Sequence, residues 1–169
     1  NAIFNGEPVK VDLNTSTGGY IVTAAAGTAM VGVLNGVLFT DATTLKPTFS
    51  NFYTAATTPA NSEDVTAFVN DDPFQEYIIA SDATLGGTLA LRKSKIGLTY
   101  ATTAAAGSTT TGKSSVELGI STAATTAKQL RVVRVAEDPE NEDQTAANCS
   151  LVVKVNLHQY TVGSLATGI

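Results

Sequence analysis

The chain has 169 residues, a formal net charge of −5 and 15% charged side chains. That length suits one domain with a real core, and the charge balance excludes electrostatic nucleic-acid binding, which needs a basic face to release counterions. A single cysteine, Cys149, rules out an intramolecular disulfide framework, and no run approaches the ~20 apolar residues of a membrane helix.

The N-terminus, Asn1-Ala-Ile-Phe-Asn-Gly-Glu, lacks the basic start and long apolar core of a secretory signal. A soluble chain made in a cytoplasm is therefore expected. Short β-type runs then recur along the sequence. They are Pro8–Leu13, Gly19–Ala25, Ala29–Asp41, Pro47–Tyr53 and Val65–Asn70, then Phe74–Ser81, Ala90–Tyr100, Ser115–Gly119, Leu130–Glu137 and Ser150–Tyr160. Val9-Lys-Val-Asp-Leu13 alternates as a half-buried strand should. Asn5-Gly6, Gly18-Gly19, Asn35-Gly36 and Gly86-Gly87 supply turn chemistry between runs. Asn35-Gly36 predicts a hairpin between Val31–Leu34 and Val37–Phe39, the alternative being one long strand with a Gly bulge. Short helical turns fit only near Ala55–Ala60 or Ser121–Lys128. The spacing predicts a single all-β domain over residues 1–169, an antiparallel β-sandwich or barrel, with a jelly-roll arrangement among the options.

Thr and Ala supply roughly 30% of the chain, far above average usage. A surface poor in charge costs little to bury against another protein. Thr99–Gly112 concentrates this bias and reads as a linker or as a loop laid across a neighbouring subunit.

Chemistry-bearing residues are sparse. Asp71-Asp72-Pro73 and Glu137-Asp138-Pro139 place carboxylates before a proline, which favours strand-end turns. Glu137–Asp143 offers oxygen ligands for Ca²⁺ but lacks EF-hand spacing, so a solvated acidic loop is expected and no metal. The lone His158 and the lone Cys149 cannot fill a zinc site. Without a Gly-x-Ser-x-Gly elbow, His158 reads as a hydrogen-bonding strand residue, and Cys149 as a small buried hydrophobe. Gly107-Ser-Thr-Thr-Thr-Gly-Lys-Ser114 matches a phosphate-loop pattern literally. That pattern needs a buried apolar strand before it and a helix after it, and a Thr/Ala-rich stretch precedes this one. No cofactor and no catalytic residue is expected. The aromatics Phe49, Phe52 and Tyr53 read as core or interface anchors, with carbohydrate or base stacking as the alternative.

Several phrases taken in order resemble a known family. They are Val31-Gly-Val-Leu-Asn-Gly-Val-Leu-Phe-Thr-Asp41, Lys46-Pro-Thr-Phe-Ser-Asn-Phe-Tyr53, Val69-Asn-Asp-Asp-Pro-Phe74, Gly107–Ser114, Arg134–Asp143 and Val153-Lys-Val-Asn-Leu-His-Gln-Tyr160. Together they resemble capsid decoration, or cement, proteins of tailed bacteriophages, especially marine ones. The resemblance implies a non-enzymatic structural protein on the virion exterior that stabilises the shell. Its partners would be the major capsid protein and its own copies in a homotrimer, with neither nucleic acid nor membrane bound. It also implies an extended N-terminal arm over Asn1–Asn14. Contacts with capsid or subunit are expected from Ile3, Phe4, Val9, Phe49, Phe52 and Tyr53, and from the loop Ala101–Gly112 and the acidic turns. The alternative within a virion is a head-fibre or tail-associated β-module that binds host surface glycans.

Overall fold

β-branched and aromatic residues at alternate positions favour a pleated, half-buried surface. The computed structural model, which describes residues 2–14, 16, 18–122, 127–141 and 143–161, is built on that pattern. Its strands are β1 (Pro8–Val11), β2 (Ile21–Thr23), β3 (Gly32–Thr40), β4 (Pro47–Ser50) and β5 (Thr66–Asn70), followed by β6 (Glu76–Ala80), β7 (Thr99–Tyr100), β8 (Leu130–Val135) and β9 (Ser150–Val155). All pairings between them are antiparallel, and they form two separate sheets, so the chain is all-β as expected. The residues divide into two compact units interleaved in sequence, where one domain over 1–169 is expected from length. Unit 1 comprises Asn1–Thr23, Val31–Asp71 and Ala105–Val116, and unit 2 comprises Ala24–Met30, Asp72–Ala104 and Glu117–Ile169.

Unit 1 is organised on the nine-residue strand β3. β5 pairs along one edge of it, while β1 and β4 share the other, at its start and its end. Asn35-Gly36 is therefore not a hairpin. It is a bulge inside one strand, with the register against β5 shifting between Leu34 and Gly36. The bulge has a packing consequence. Leu34 and Val37 are three apart, so strict alternation would send them to opposite faces. The extra residue returns both to the core, where each is only 2% exposed. The gap between β1 and β4 is closed by the Asn5-Gly6 turn. Gly6 N–H donates to the Leu34 carbonyl at 2.9 Å, and the Asn5 side-chain amide donates to the Asn35 carbonyl at 2.8 Å. Val9, Val31, Ile3, Leu34 and Val37 form the core cluster.

The N-terminal segment does not stand apart as an arm. β1 is an inner strand between β2 and β3, and Ile3 exchanges two backbone hydrogen bonds with Tyr53 at 2.9 and 2.8 Å. Apolar burial of Ile3, Phe4 and Val9 is the reason. It removes most of three large side chains from water, at roughly 1.5–3 kcal/mol each.

Unit 2 contains the sheet β6-β9-β8-β7. Leu130, Val132, Leu151 and Val153 are buried within it. Gln129 is fully buried. Its Oε1 accepts from Gly27 N–H at 2.9 Å, Thr102 N–H at 3.2 Å and the Thr102 hydroxyl at 3.0 Å, and its Nε2 donates to the Ala25 carbonyl at 3.1 Å. The β8–β9 connection is held in a comparable way by Asn141, at the end of the short 3₁₀ turn Pro139–Asn141. Its amide donates to the carbonyls of Ala136 and Ser150 at 2.8 and 3.0 Å, and its oxygen accepts from Ser150 N–H at 2.9 Å.

Two expected strands are corrected. The run Ala90–Tyr100 splits into a helix, α1 (Leu89–Ser94), and the two-residue β7. Thr88 caps α1 by accepting from Leu91 N–H, Leu, Ala, Arg and Lys are strong helix formers, and Arg92 and Lys93 suit its C-terminal dipole. Ser115–Gly119 is irregular and contributes only isolated bridges through Leu118 to Ser81 and Thr102. Of the two expected helical turns, Ala55–Ala60 is not helical before its last residue, where the short turn Ala60–Ser62 begins. The other, Ser121–Lys128, opens in the 3₁₀ turn Ile120–Thr122, and its residues 123–126 lie outside the described residues.

Candidate functional site

The two faces of the unit 1 sheet are chemically different. Leu34, Val37, Ala67 and Val69 point toward the core. The opposite face carries Leu38, Phe49 and Phe68, which are 38%, 60% and 44% exposed. An antiparallel sheet with one solvated face is usually apolar inward and polar outward, and this sheet is apolar on its outer face as well. Register assembles the cluster: Leu38 is paired with Phe49 on β4 and Gly36 with Phe68 on β5. The rings of Phe49 and Phe68 therefore meet across a glycine, with centroids 6.2 Å apart and a tilt of 48°. Gly36 has a φ of 157°, and a Cβ there would fall 2.5 Å from Phe49 Cζ. The missing side chain is what lets the Phe49 ring lie over the strand.

The six residues expected as contacts do not share one surface. Ile3, Phe4 and Val9 are buried. Phe52 is half-buried and stacks on Phe4 with centroids 5.7 Å apart and planes 10° off parallel. Tyr53 is half-buried and pairs with Ile3. Only Phe49 belongs to the exposed aromatic face. Its neighbour there, Phe68, escaped the sequence reading, yet a signal was present. In Thr66-Ala-Phe-Val-Asn70, Phe68 alternates in phase with the polar Thr66 and Asn70 rather than with Ala67 and Val69.

A second feature of unit 1 is a cavity of about 360 Å³. The half-buried Ile21, Val65 and Ala67, over the buried Leu34 and Val37, form an apolar floor, and Tyr20 and Tyr53 also line it, with Glu63 and Asp64 the carboxylates among the lining residues. The Tyr20 hydroxyl donates to Asp64 Oδ1 at 3.1 Å. That bond, and the charge behind it, hold the Tyr20 phenol above its usual range.

The remaining chemistry-bearing residues are dispersed. His158 is buried, with Nδ1 accepting from Tyr160 N–H at 3.1 Å and its ring edge-on to Tyr160. Cys149 is buried, and burial pushes its thiol up. Asp143 accepts from the Thr145 hydroxyl at 2.6 Å and the Thr145 N–H at 3.0 Å, which lowers its carboxyl. Asp41 likewise accepts from Thr43 and Thr44 N–H at 2.9 and 2.8 Å and is lowered by those bonds. These two carboxylates order their own turns. Among the described residues, no three His, Cys, Asp or Glu side chains gather as a metal-binding group would require.

The phosphate-loop phrase serves packing. A Cβ on Gly107 would fall 2.3 Å from the Phe4 ring, so the glycine admits a buried aromatic. Lys113 is exposed, and its backbone bridges to Asn5. Ser108 and Lys113 close the turn through Ser108 N–H to the Lys113 carbonyl at 2.9 Å. The residues after it, Ser114–Glu117, are not helical.

Comparison with known proteins gives no counterpart for this arrangement: no protein-family model, no curated protein and no solved structure matches the chain.

Proposed function

We propose that this chain is a structural virion protein that binds the outer surface of a bacteriophage capsid and stabilises the shell, as a decoration or cement protein does. Its partners on this reading are the major capsid protein and its own copies, assembled as a homotrimer. It is made in the host cytoplasm, carried on the capsid exterior, and performs no catalysis. The observation that carries the reading is the aromatic face Leu38, Phe49 and Phe68, an apolar surface on a sheet that gains stability when another protein covers it. Many shallow contacts of this kind, repeated over a lattice, give retention without any single tight site. The resemblance of Val31–Asp41 and Lys46–Tyr53 to decoration proteins supports the same reading, since those phrases contain Leu38 and Phe49.

The deciding measurement is the copy number on purified particles. A fixed stoichiometric ratio to the major capsid protein is expected, and a handful of copies per particle refutes the proposal. The exposed ring pair also favours a second reading, a head-fibre or tail-associated module that stacks host glycans on Phe49 and Phe68. A glycan-binding screen separates the two, because decoration predicts no sugar affinity.

A further inference from the structure

The cavity of unit 1 lies on the core side of the sheet, away from the aromatic face, and asks for a ligand of different character. Its volume, about 360 Å³, falls within the range of small-molecule and side-chain receptors. The apolar side chains Ile21, Val65 and Ala67, half-buried along the cavity, accept a hydrocarbon and offer it no hydrogen bond. The Tyr20 and Tyr53 side chains present aromatic surface, and tyrosine faces attract cations. Glu63 and Asp64 are both exposed and bring two negative charges. Among the described residues, none that lines the cavity is cationic. The Tyr20 hydroxyl occupies part of the capacity of Asp64, and a carboxylate with about four acceptor sites keeps room for a further donor.

An aliphatic floor, aromatic walls and carboxylates describe the complement of one side chain. A neutral apolar ligand would leave the carboxylates unanswered. An anion would be repelled, and a small inorganic cation would gain nothing from the floor. We infer that this cavity receives an arginine side chain from a partner protein, its methylene stem on the half-buried Ile21, Val65 and Ala67 and its guanidinium between the tyrosines and the carboxylates of Glu63 and Asp64. Arginine fits better than lysine because its planar fork stacks on aromatic rings and binds carboxylates in a bidentate manner. This chemistry does not depend on the shell-binding reading, and it holds whatever the partner is.

The test uses the intact protein with two small probes, n-butylguanidinium and its neutral counterpart n-butylurea, followed through the ring resonances of Tyr20 and Tyr53. Saturable binding of the guanidinium, about 5-fold tighter than the urea, is expected, as one modest ion pair with a cation–π contact provides. The preference should weaken as salt is raised. In the double variant Glu63→Gln, Asp64→Asn, urea binding should persist while the guanidinium preference disappears. Persistence of urea binding also shows that the cavity has kept its shape. Equal affinity for both probes in the unaltered protein, absence of saturable binding, or a preference that survives in the double variant would each overturn the inference.

Discussion

Phe49→Thr tests whether the aromatic face is a contact surface, because burial divides the two roles of this side chain. A phenylalanine presents roughly 200 Å² of surface, and Phe49 is 60% exposed. About 80 Å² is therefore already buried on the sheet, against Gly36 and Phe68, and about 120 Å² awaits a partner. At ~25 cal/mol per Å², the first share contributes about 2 kcal/mol to folding and the second about 3 kcal/mol to docking if it is wholly covered. Threonine keeps the β preference of the position. The variant should thus fold with a urea midpoint lowered by about 2 kcal/mol equivalent, and should bind shells stripped of the native protein about 100-fold more weakly. The assay is half-saturation of such shells, read beside a denaturation curve. Ile78→Thr is the control, since Ile78 on β6 of unit 2 is 71% exposed and loses a comparable apolar area elsewhere. Undiminished shell binding by folded Phe49→Thr refutes the assignment of this face. Equal weakening by Ile78→Thr refutes it too, because the effect would then belong to apolar area in general.

Gln129→Met preserves volume but orphans Thr102 N–H, a buried donor whose loss costs about 1–3 kcal/mol. A melting temperature lowered by roughly 2–12 °C is expected for a chain of this size, and an unchanged melting curve would contradict the role given to Gln129. Gly107→Ala forces a methyl group against the Phe4 ring and should destabilise by about 1–3 kcal/mol, whereas Lys113→Ala should stay within about 0.5 kcal/mol of the parent. Urea melts of the pair, with an ATP titration beside them, would reveal a phosphate site if Lys113 alone proved sensitive. Asp41 has a carboxyl lowered by the amides of Thr44 and Thr43. Its contribution is therefore present above the ordinary aspartate value and fades as pH falls through its lowered folded value. Asp41→Asn should be less stable than the parent at neutral pH, with the difference shrinking in acid; a difference that stays constant into acid would show that the charge does not matter.

The parts of this fold legible in the sequence are those decided locally. Val9-Lys-Val in β1 and Thr66–Asn70 in β5 alternate within a few residues, while Leu151–Val155 in β9 shows its strand character through β-branched residue types, with Leu151, Val152 and Val153 all buried. Asn35-Gly36 shows where local reading stops. The same dipeptide serves a hairpin or a bulge, and the choice between them rests on β5, about thirty residues ahead, and on Asn5, whose amide answers the Asn35 carbonyl. Leu89–Ser94 shows a different competition. Its residues favour helix, Thr88 supplies the cap, and the apolar run around it reads as strand only if that cap is overlooked.

The two candidate sites divide in the same way. Phe68 could have been placed on the exposed face from period two alone, because its neighbours in phase are Thr66 and Asn70. The cavity could not, because Tyr20 and Asp64 stand 44 residues apart and are joined only once β2 and the segment before β5 have been folded onto one core. The N-terminal segment makes the point in reverse. Ile3, Phe4 and Val9 invite a grasping role because they are apolar and terminal, and they are buried for the first of those reasons. What remains for a partner is apolar surface that folding leaves out in the open, and on the unit 1 sheet Phe49, Phe68 and Leu38 gather such surface on one face, where a side chain missing at Gly36 lets two rings meet.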